Sequence, residues 1–415
     1  MRRLALLACL YFTQGLPFGF FSHAVPVLLN REHPPEIAGL SSLLSLPWAF
    51  KFLLGPSVDR LGPGRRWMAI LPMQILAVAT LLALALFGGS EKNLTPLLVG
   101  FFLVSLFSAT QDVATDALAI DLIDRTDFGL AATVQAGAYR VGMIAGGGGL
   151  LAVSDQIGYR EGFFMMAGAI ALASVPFITS NPERRAQRAS GSSPDPTRPA
   201  TGWVGIREHT SRLARFFVSS SGRRLLLFLF CFKFGDALAA GMVTRWFVKQ
   251  GMSTTDIALS RGFVGGAAAI VGAVLGGLAL RRVSYRNALQ LFGGLQGAAI
   301  LVYLVLAIAH PQRIGITPMP MSVYFGASIV EHVFGGAATA VLFAHMMNES
   351  DAESRATDFT TQACALVMIT GLGLLLSGVI TKFATLTGHF AVASFFALLS
   401  PLAVYVLPRH QLRAR

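Results

Sequence analysis

Charged side chains lie inside several long apolar stretches of this chain, where they could bind ions or carry protons. Each stretch runs to about twenty residues, and the charges are Lys51, Asp112, Asp116, Arg140 and Lys233. An unpaired charge costs roughly 2.5 to 3.5 kcal/mol when such a stretch crosses a bilayer. Charges at that cost are expected to be paired or to have a function, so these five side chains are the first candidates for a site.

Two of the charges are aspartates on one predicted helix. Asp112 and Asp116 are four residues apart, which places both carboxylates on the same helix face. Two carboxylates in a low-dielectric site cannot both ionise cheaply, so one of them should hold a proton near neutral pH. We therefore predict a proton-coupling site here. The alternative is a structural pair, in which basic neighbours such as Lys51 or Arg140 neutralise the two carboxylates.

The basic residues are suited to binding an anion. Lys51 and Arg140 lie deep in their stretches with few acidic neighbours in sequence, so we predict them to be anion anchors. Lys233 and Asp236 are three residues apart and could simply neutralise each other on one helix. The full set predicted to bind substrate is Gln14, Lys51, Gln111, Arg140, Lys233, Asp236 and Glu331.

The elements that hold these residues are predicted to be membrane helices. Hydrophobic residues make up 54% of the 415 residues and charged residues 13%, against about 25% charged in an average soluble domain. Apolar runs recur that can each cross a hydrocarbon core of roughly 30 Å. We predict an all-α membrane protein with twelve spans, at 4–29, 36–56, 67–88, 95–122, 129–152, 161–179, 224–248, 255–280, 287–309, 319–346, 355–381 and 388–407.

Basic residues are distributed unevenly between alternate connections. The termini and the even-numbered connections carry 22 of the Lys and Arg residues, and the odd-numbered connections carry six. Because cytoplasmic loops are enriched in Lys and Arg, we predict cytoplasmic N- and C-termini in a multi-pass protein of a bacterial inner membrane. The net charge of +12 then reflects topology. We expect lipid contact and no nucleic-acid partner.

The chain also divides into two similar halves. At an offset of 220 residues, Gly15 corresponds to Gly235 and Arg66 to Arg286, and such matches keep nearly one register over several predicted helices. A stretch rich in Ser, Pro and Arg separates the halves and has the composition of a polar linker. We predict an N-terminal six-helix bundle, a cytoplasmic linker and a C-terminal six-helix bundle, at 1–180, 181–223 and 224–415.

A polar loop follows the second predicted span. It reads Gly55-Pro-Ser-Val-Asp-Arg-Leu-Gly-Pro-Gly-Arg-Arg66, and it resembles the signature loop of the major facilitators between their second and third helices. An aspartate at a helix end with arginines in a tight turn could form a charge lock that opens and closes. The alternative is a solvated basic loop. We predict gating residues at Asp59, Arg60, Arg65, Arg66 and Asp121.

Further motifs resemble the muropeptide permease branch of the major facilitators. They are Phe50-Lys51-Phe52-Leu53, Thr110-Gln111-Asp112 with Asp116-Ala117, Tyr139-Arg140, Phe232-Lys233 with Gly235-Asp236-Ala237, and Glu331 with Gly335-Gly336. The related acetyl-coenzyme A transporters share some of them. The resemblance implies a major facilitator fold, a substrate site near the midplane between the halves, and proton-driven import of anhydromuropeptides. It also places the acid of the family's fourth helix at Asp116.

The leading prediction is a secondary active transporter that imports an anionic solute with protons. The alternatives are a carrier of another organic anion or of acyl-coenzyme A, an efflux antiporter, and a membrane sensor or assembly factor that transports nothing. Antiporters often carry a Gly-Pro pair in the fifth span, which this chain lacks. Its histidines and cysteines show no metal-ligand, redox or HExxH spacing, so we predict no enzyme, no metal and no cofactor. We expect a monomer.

Overall fold

The computed structural model describes residues 2–20, 44, 46–87, 94–149, 158–180, 183, 218–309, 320–351 and 354–407. Nine helices within these residues are long and apolar enough to cross a membrane. They correspond to nine of the predicted spans, the exceptions being 4–29, 36–56 and 129–152. Parts of those three spans lie outside the described residues, so the total of twelve stays a prediction.

We number the helices in chain order over the described residues. The first seven are α1 Arg2–Gly19, α2 Leu46–Ala49, α3 Gly55–Leu61, α4 Trp67–Phe87, α5 Leu94–Leu122, α6 Phe128–Ile144 and α7 Tyr159–Ser180. The next eight are α8 Ser220–Lys249, α9 Thr254–Ile257, α10 Gly265–Ala279, α11 Tyr285–Ala309, α12 Met321–Glu349, α13 Arg355–Phe383, α14 Leu386–Ala397 and α15 Ser400–Ala403. Two π-helical segments, Ala145–Gly149 and Ala258–Val264, follow α6 and precede α10. Short 3₁₀ turns occupy Lys51–Leu53, Arg125–Asp127 and Val404–Val406.

The second predicted span differs from the continuous helix that its apolar composition favours. Its described part breaks into α2, a 3₁₀ turn that carries Lys51, and α3. Pro56 lies in the first turn of α3, where its fixed φ angle and missing N–H are tolerated because that N–H has no intrahelical partner. Helical structure then continues to Leu61, beyond the predicted end at residue 56. Asp59 is therefore on a helix, and not in a loop.

The described residues fall into two compact units. Unit 1 contains those in Met1–Arg125, Gly137–His209 and Ser350–Cys364, and unit 2 contains those in Thr126–Ala136, Thr210–Glu349 and Ala365–Arg415. Each unit thus includes a short segment from the other half of the sequence: the start of α13 belongs to unit 1, and the start of α6 belongs to unit 2. The predicted bundles at 1–180 and 224–415 stay a prediction.

Close backbone contact positions the helices of unit 1 that carry the predicted site. A Cβ atom at Gly15 of α1 would lie 2.1 Å from the carbonyl oxygen of Tyr139 on α6, and one at Gly146 would lie 1.8 Å from the carbonyl oxygen of Leu16. Glycine is required at such contacts because any other residue would force the helices apart. This contact holds Gln14, next to Gly15, close to the part of α6 that carries Tyr139 and Arg140.

Candidate functional site

A buried ion pair joins two of the predicted residues in unit 1. The ammonium group of Lys51, in the 3₁₀ turn, pairs with the Asp112 carboxylate on α5. Their side chains are only 9% and 6% exposed, so the charges have few water molecules to stabilise them. The Lys51 Nζ also lies 5.6 Å from the centre of the Trp48 ring, within range of a cation–π interaction. The structural alternative predicted for Asp112, neutralisation by Lys51, is present in this conformation.

Asp116 lies one turn further along α5 and has a different described partner. Its Oδ1 accepts a hydrogen bond of 3.0 Å from the hydroxyl of Tyr11 on α1. Asp116 is 1% exposed and Tyr11 is fully buried. The two aspartates thus share a helix face, as their spacing predicts, but their carboxylates contact an ammonium group and a phenol respectively. Tyr11 was not predicted as a site residue, because a tyrosine in an apolar stretch is usually a packing residue.

Amide side chains extend this polar group between α1 and α5. The Gln111 Nε2 donates a hydrogen bond of 2.9 Å to the hydroxyl of Thr13. Gln14 is fully buried, and neither its amide nitrogen nor its amide oxygen has a partner among the described residues. A buried amide without partners is costly, since it loses its hydrogen bonds to water. Gln14 is therefore suited to bind a polar group that enters the site.

An aromatic cluster includes Trp48, the ring that lies beside the Lys51 ammonium. Trp48 packs edge-on against Phe18 and Tyr139, with ring centres 5.2 and 6.0 Å apart. Each of the three side chains is half-buried. Arg140 follows Tyr139 on α6 and is also half-buried. Six of the residues predicted to bind substrate or carry protons lie in unit 1, namely Gln14, Lys51, Gln111, Asp112, Asp116 and Arg140.

Lys233 and Asp236 pair on α8 of unit 2, as their three-residue spacing predicts. The Lys233 Nζ lies 3.0 Å from Asp236 Oδ2 and donates a hydrogen bond of 2.8 Å to Gln296 Oε1 on α11. The Gln296 amide in turn donates to the carbonyl oxygen of Phe232. Lys233 therefore has both a charged and a neutral partner, and the neutral partner was not apparent from the sequence.

Glu331 of unit 2 lies in a polar group that the sequence predicted only in part. Its Oε2 accepts hydrogen bonds of 3.0 Å from Arg261 Nη1 and 2.9 Å from the Tyr303 hydroxyl, and lies 3.3 Å from His332 Nδ1. Arg261 and Tyr303 were missed as site residues. Arg261 could have been predicted from the sequence, because it is a charge inside an apolar stretch like Lys51.

Three of the five predicted gating residues form a network at the ends of α3, α4, α5 and α13 in unit 1. The Asp59 carboxylate accepts hydrogen bonds of 2.9 Å from the backbone N–H groups of Ala356 and Thr357, at the start of α13. Arg66 is 1% exposed and lies 3.5 Å from Asp59 and 3.2 Å from Asp121. Asp121 also pairs with Arg355. Asp59, Arg66 and Asp121 thus lie together, whereas Arg60 is exposed and Arg65 half-buried.

A further acid lies against the beginning of α4. The Glu183 Oε2 accepts a hydrogen bond of 2.9 Å from the backbone N–H of Trp67. Burial raises the pKa of Glu183 above its usual value, although backbone hydrogen bonds from Trp67 and Arg66 and the charge of Arg66 act in the opposite direction. Glu183 was not predicted as a functional residue, and it links the end of the N-terminal half to the gating network.

Comparison with known proteins identifies transporters as relatives. The anhydromuropeptide permease of Escherichia coli (strain K12) is 28% identical over 366 residues, which are 86% of this chain and 70% of the permease. Putative transporter AmpG 3 of Rickettsia prowazekii (strain Madrid E) is 22% identical over 421 residues, which are 96% of this chain and 94% of that protein. These similarities agree with the branch that the sequence motifs predicted.

A solved structure gives the fold independently. The transporter FucP, crystallised in the outward conformation, superposes with a TM-score of 0.67 at 15% identity, and the match covers 99% of both chains. The predicted major facilitator fold is thereby confirmed. The family model of the Major Facilitator Superfamily matches residues 7–330. With helical architecture, structural likeness and family model in agreement, this chain belongs to the Major Facilitator Superfamily.

Proposed function

We propose that this protein is a proton-coupled importer of an anionic solute, and that its cargo is an anhydromuropeptide. The observation that carries the proposal is the buried polar group in which Lys51 pairs with Asp112 and Tyr11 binds Asp116. That group combines a cation for an anionic cargo with a carboxylate for a proton. The similarity to the anhydromuropeptide permease of Escherichia coli supports this choice of cargo.

Asp116 is the proposed proton carrier. It is buried and shares a helix face with the Asp112 carboxylate, so a second ionised carboxylate is disfavoured there by desolvation and by like charge. Within the trio of Lys51, Asp112 and Asp116, one positive charge faces two carboxylates, and a proton on one of them balances the charge of the trio. The Tyr11 hydroxyl can donate to an ionised Asp116 or accept from a protonated one.

Lys51 and Arg140 are the proposed anion anchors. An ammonium and a guanidinium group both form charge-assisted hydrogen bonds with carboxylates, which are stronger than neutral ones. A cargo carboxylate would compete with Asp112 for Lys51, and protonation of the aspartates would favour the cargo in that competition. Gln14 would bind a polar group of the cargo, since its amide has no partner among the described residues. Lys233 and Asp236 form a charged pair within unit 2, and we assign this pair to cargo binding as well.

The gating network is the proposed lock for one side of the membrane. The Asp59 carboxylate lies at the N-terminus of α13, where free N–H groups and the helix dipole favour a negative charge. Arg66 holds Asp59 and Asp121 by side-chain contacts that can break and reform. The excess of basic residues at the termini and even-numbered connections supports a cytoplasmic position for this network in an inner membrane.

Uptake into proteoliposomes tests the proposal. The purified protein is reconstituted, a proton gradient is imposed with the acidic side outside, and the uptake of radiolabelled anhydromuropeptide is followed. Accumulation above the external concentration is expected for the wild type, together with its loss in Asp116→Asn. Asp127→Asn is the matched control, because Asp127 is an exposed aspartate that pairs with Arg281 at a surface.

Other outcomes would replace the proposal. Uptake that slows when the outside is acidified, with efflux that accelerates, would identify an antiporter. Uptake of an organic acid or an acyl-coenzyme A in place of the anhydromuropeptide would change the cargo. Binding of anhydromuropeptide without any flux would identify a sensor or assembly factor.

A further inference from the structure

Unit 2 contains a second buried cluster of charged residues. Its residues lie on elements other than α5, the helix that carries the proposed proton carrier Asp116. Arg261 is in the π-helical segment Ala258–Val264, Tyr303 is on α11, and Glu331 and His332 are on α12. Isolated π-helical turns are uncommon and are frequent at functional sites, because they displace one side chain from the helical register. Here the segment presents a guanidinium group to the Glu331 carboxylate.

All the described contacts of the Glu331 carboxylate are made by one of its oxygens. Arg261 Nη1 and the Tyr303 hydroxyl donate to Oε2, and the imidazole of His332 lies 3.3 Å from the same atom. Tyr303 is fully buried, whereas the side chains of Arg261, Glu331 and His332 are 17%, 11% and 13% exposed. The side chains of Arg261, Glu331 and His332 are thus partly accessible, whereas the Tyr303 hydroxyl is buried.

A backbone contact determines which ring nitrogen of His332 carries a hydrogen. Its Nδ1 lies 2.8 Å from the carbonyl oxygen of Ser328, which can only accept, so Nδ1 carries a hydrogen and Nε2 is the basic nitrogen. Nε2 faces Gly265, where a Cβ atom would lie 2.8 Å away. The Ser328 hydroxyl donates a hydrogen bond of 3.1 Å to the carbonyl oxygen of Ser260, which fastens the π-helical segment to α12.

We propose that Arg261 is a carboxylate-binding residue for the cargo, and that Glu331 occupies it until Glu331 takes up a proton. In the ionised state, Glu331 neutralises Arg261 and blocks it. When a cargo carboxylate takes the place of Glu331 on the guanidinium group, the displaced Glu331 takes up a proton from the medium. On release, Glu331 returns its proton to the medium and pairs with Arg261 again. The inference rests on the proposed function for the identity of its ligand.

Charge balance favours such an exchange. A buried charge that loses its partner is strongly destabilised, so Arg261 should always hold one carboxylate. Exchanging an internal carboxylate for a cargo carboxylate keeps one negative charge beside the guanidinium, and the displaced one is neutralised by the proton. Arginine suits this role because its planar fork binds a carboxylate through two hydrogen bonds. Tyr303 and His332 remain as hydrogen-bonding partners of Glu331 in both states.

Binding measured as a function of pH tests the exchange. The probe is the anhydromuropeptide, added to the full chain purified in detergent, and its dissociation constant is determined by isothermal titration calorimetry from pH 5 to pH 8. The wild type is expected to bind more weakly as the pH rises. Glu331→Gln should bind at pH 8 about tenfold more tightly than the wild type, and its affinity should depend less steeply on pH, with the remaining dependence carried by Asp112 and Asp116. Arg261→Lys should bind at least tenfold more weakly, while its pH dependence is retained.

Two controls separate a local role from general damage. Arg281→Gln removes an exposed arginine of the same unit and should leave binding unchanged. The double variant Arg261→Gln/Glu331→Gln should bind weakly at every pH, because it contains neither the anchor nor its internal carboxylate. If Glu331→Gln keeps the pH dependence of the wild type, or if Arg261→Lys binds as well as the wild type, the inference is wrong.

A measurement without cargo keeps this result distinct from the proposed function. Trp246 packs edge-on against Tyr303, with ring centres 5.9 Å apart, so its fluorescence should respond to the state of Glu331. Acetate, a small carboxylate, should change the fluorescence of the wild type more strongly at pH 5 than at pH 8, whereas Glu331→Gln should respond equally at both pH values. Failure of the anhydromuropeptide to bind the wild type would overturn the proposed cargo alone. Identical acetate responses in the two proteins would overturn the Glu331 exchange alone.

Discussion

The Asp59 carboxylate binds both the backbone N–H and the side-chain hydroxyl of Thr357, a residue 298 positions away in sequence. The hydrogen bonds are 2.9 and 2.6 Å long, and both go to Oδ2. Oδ1 of the same carboxylate accepts from the N–H of Ala356. Asp59 therefore caps the first turn of α13 from a different helix.

Asp59→Asn should destabilise this arrangement. The amide has one acceptor oxygen in place of two and no charge to interact with the helix dipole, so we expect a loss of about 2 kcal/mol in the free energy of unfolding. Urea unfolding of the purified protein measures the loss. Asp124→Asn is the control, because Asp124 is an exposed aspartate of the same unit. An equal effect of the two substitutions would mean that the capping contact contributes no specific stability.

Removing one charge of the Lys51 and Asp112 pair should lower the free energy of unfolding more than removing both. Lys51→Met leaves a buried carboxylate without its ammonium partner, and we expect it to cost about 3 to 5 kcal/mol. The double variant Lys51→Met/Asp112→Asn should recover most of that stability, since it contains neither charge. A double-mutant cycle of unfolding free energies provides the test. Additive effects of the two substitutions would show that the pair is not coupled.

Loss of the proposed anion anchors should weaken the apparent affinity for cargo. Removing one charge-assisted hydrogen bond costs about 1.5 to 3 kcal/mol, so Lys51→Ala and Arg140→Ala should each raise the apparent KM for uptake about tenfold or more. Membrane insertion, measured by fluorescence-detected size-exclusion chromatography, should fall less than affinity. Both variants inserting normally and transporting with the wild-type KM would remove these residues from the site.

Glu183 should make the stability of the protein depend on pH. Its pKa is raised in the folded state by burial, so the folded protein binds this proton more tightly than the unfolded chain does. The contribution of Glu183 to stability is then most favourable below its unfolded pKa of about 4.3 and is lost as the pH rises through the folded pKa. The thermal stability of Glu183→Gln should therefore improve relative to the wild type as the pH increases from 5 to 8.

Glu161→Gln is the matched control for that experiment. Glu161 is an exposed acid of the same unit, and its substitution should leave the pH dependence of the wild type in place. A constant difference in melting temperature between Glu183→Gln and the wild type over the whole pH range would contradict the prediction.

Two glycines beside Arg261 should respond differently to alanine. A Cβ atom at Gly265 would press on the His332 ring, so Gly265→Ala should displace that ring and destabilise the protein. A Cβ atom at Gly262 would meet no atom of the described residues within 4 Å, and Gly262→Ala should be neutral or stabilise by up to about 1 kcal/mol. Unfolding free energies of the two variants give the comparison. Equal unfolding free energies for the two variants would mean that the His332 ring does not depend on the absence of a side chain at Gly265.

Local sequence features predicted much of the helical architecture. Apolar runs predicted spans at 67–88 and 287–309, and the structure has helices at Trp67–Phe87 and Tyr285–Ala309. Length and hydropathy suffice for this, because every backbone polar group in a bilayer must be satisfied within its own helix. Spacing along one helix also predicted the contact between Lys233 and Asp236, since residues three apart are neighbours on a helix surface.

Contacts between helices depended on the tertiary structure. Tyr11 with Asp116, Arg261 with Glu331 and Asp59 with Thr357 are separated by 105, 70 and 298 residues. Helical periodicity predicts which residues share a face, but it does not predict which two faces meet, since many apolar helices can pack on one another. The sequence alone therefore determined most of the long helices, the charges inside them and the family, whereas packing decided which charges on different helices meet.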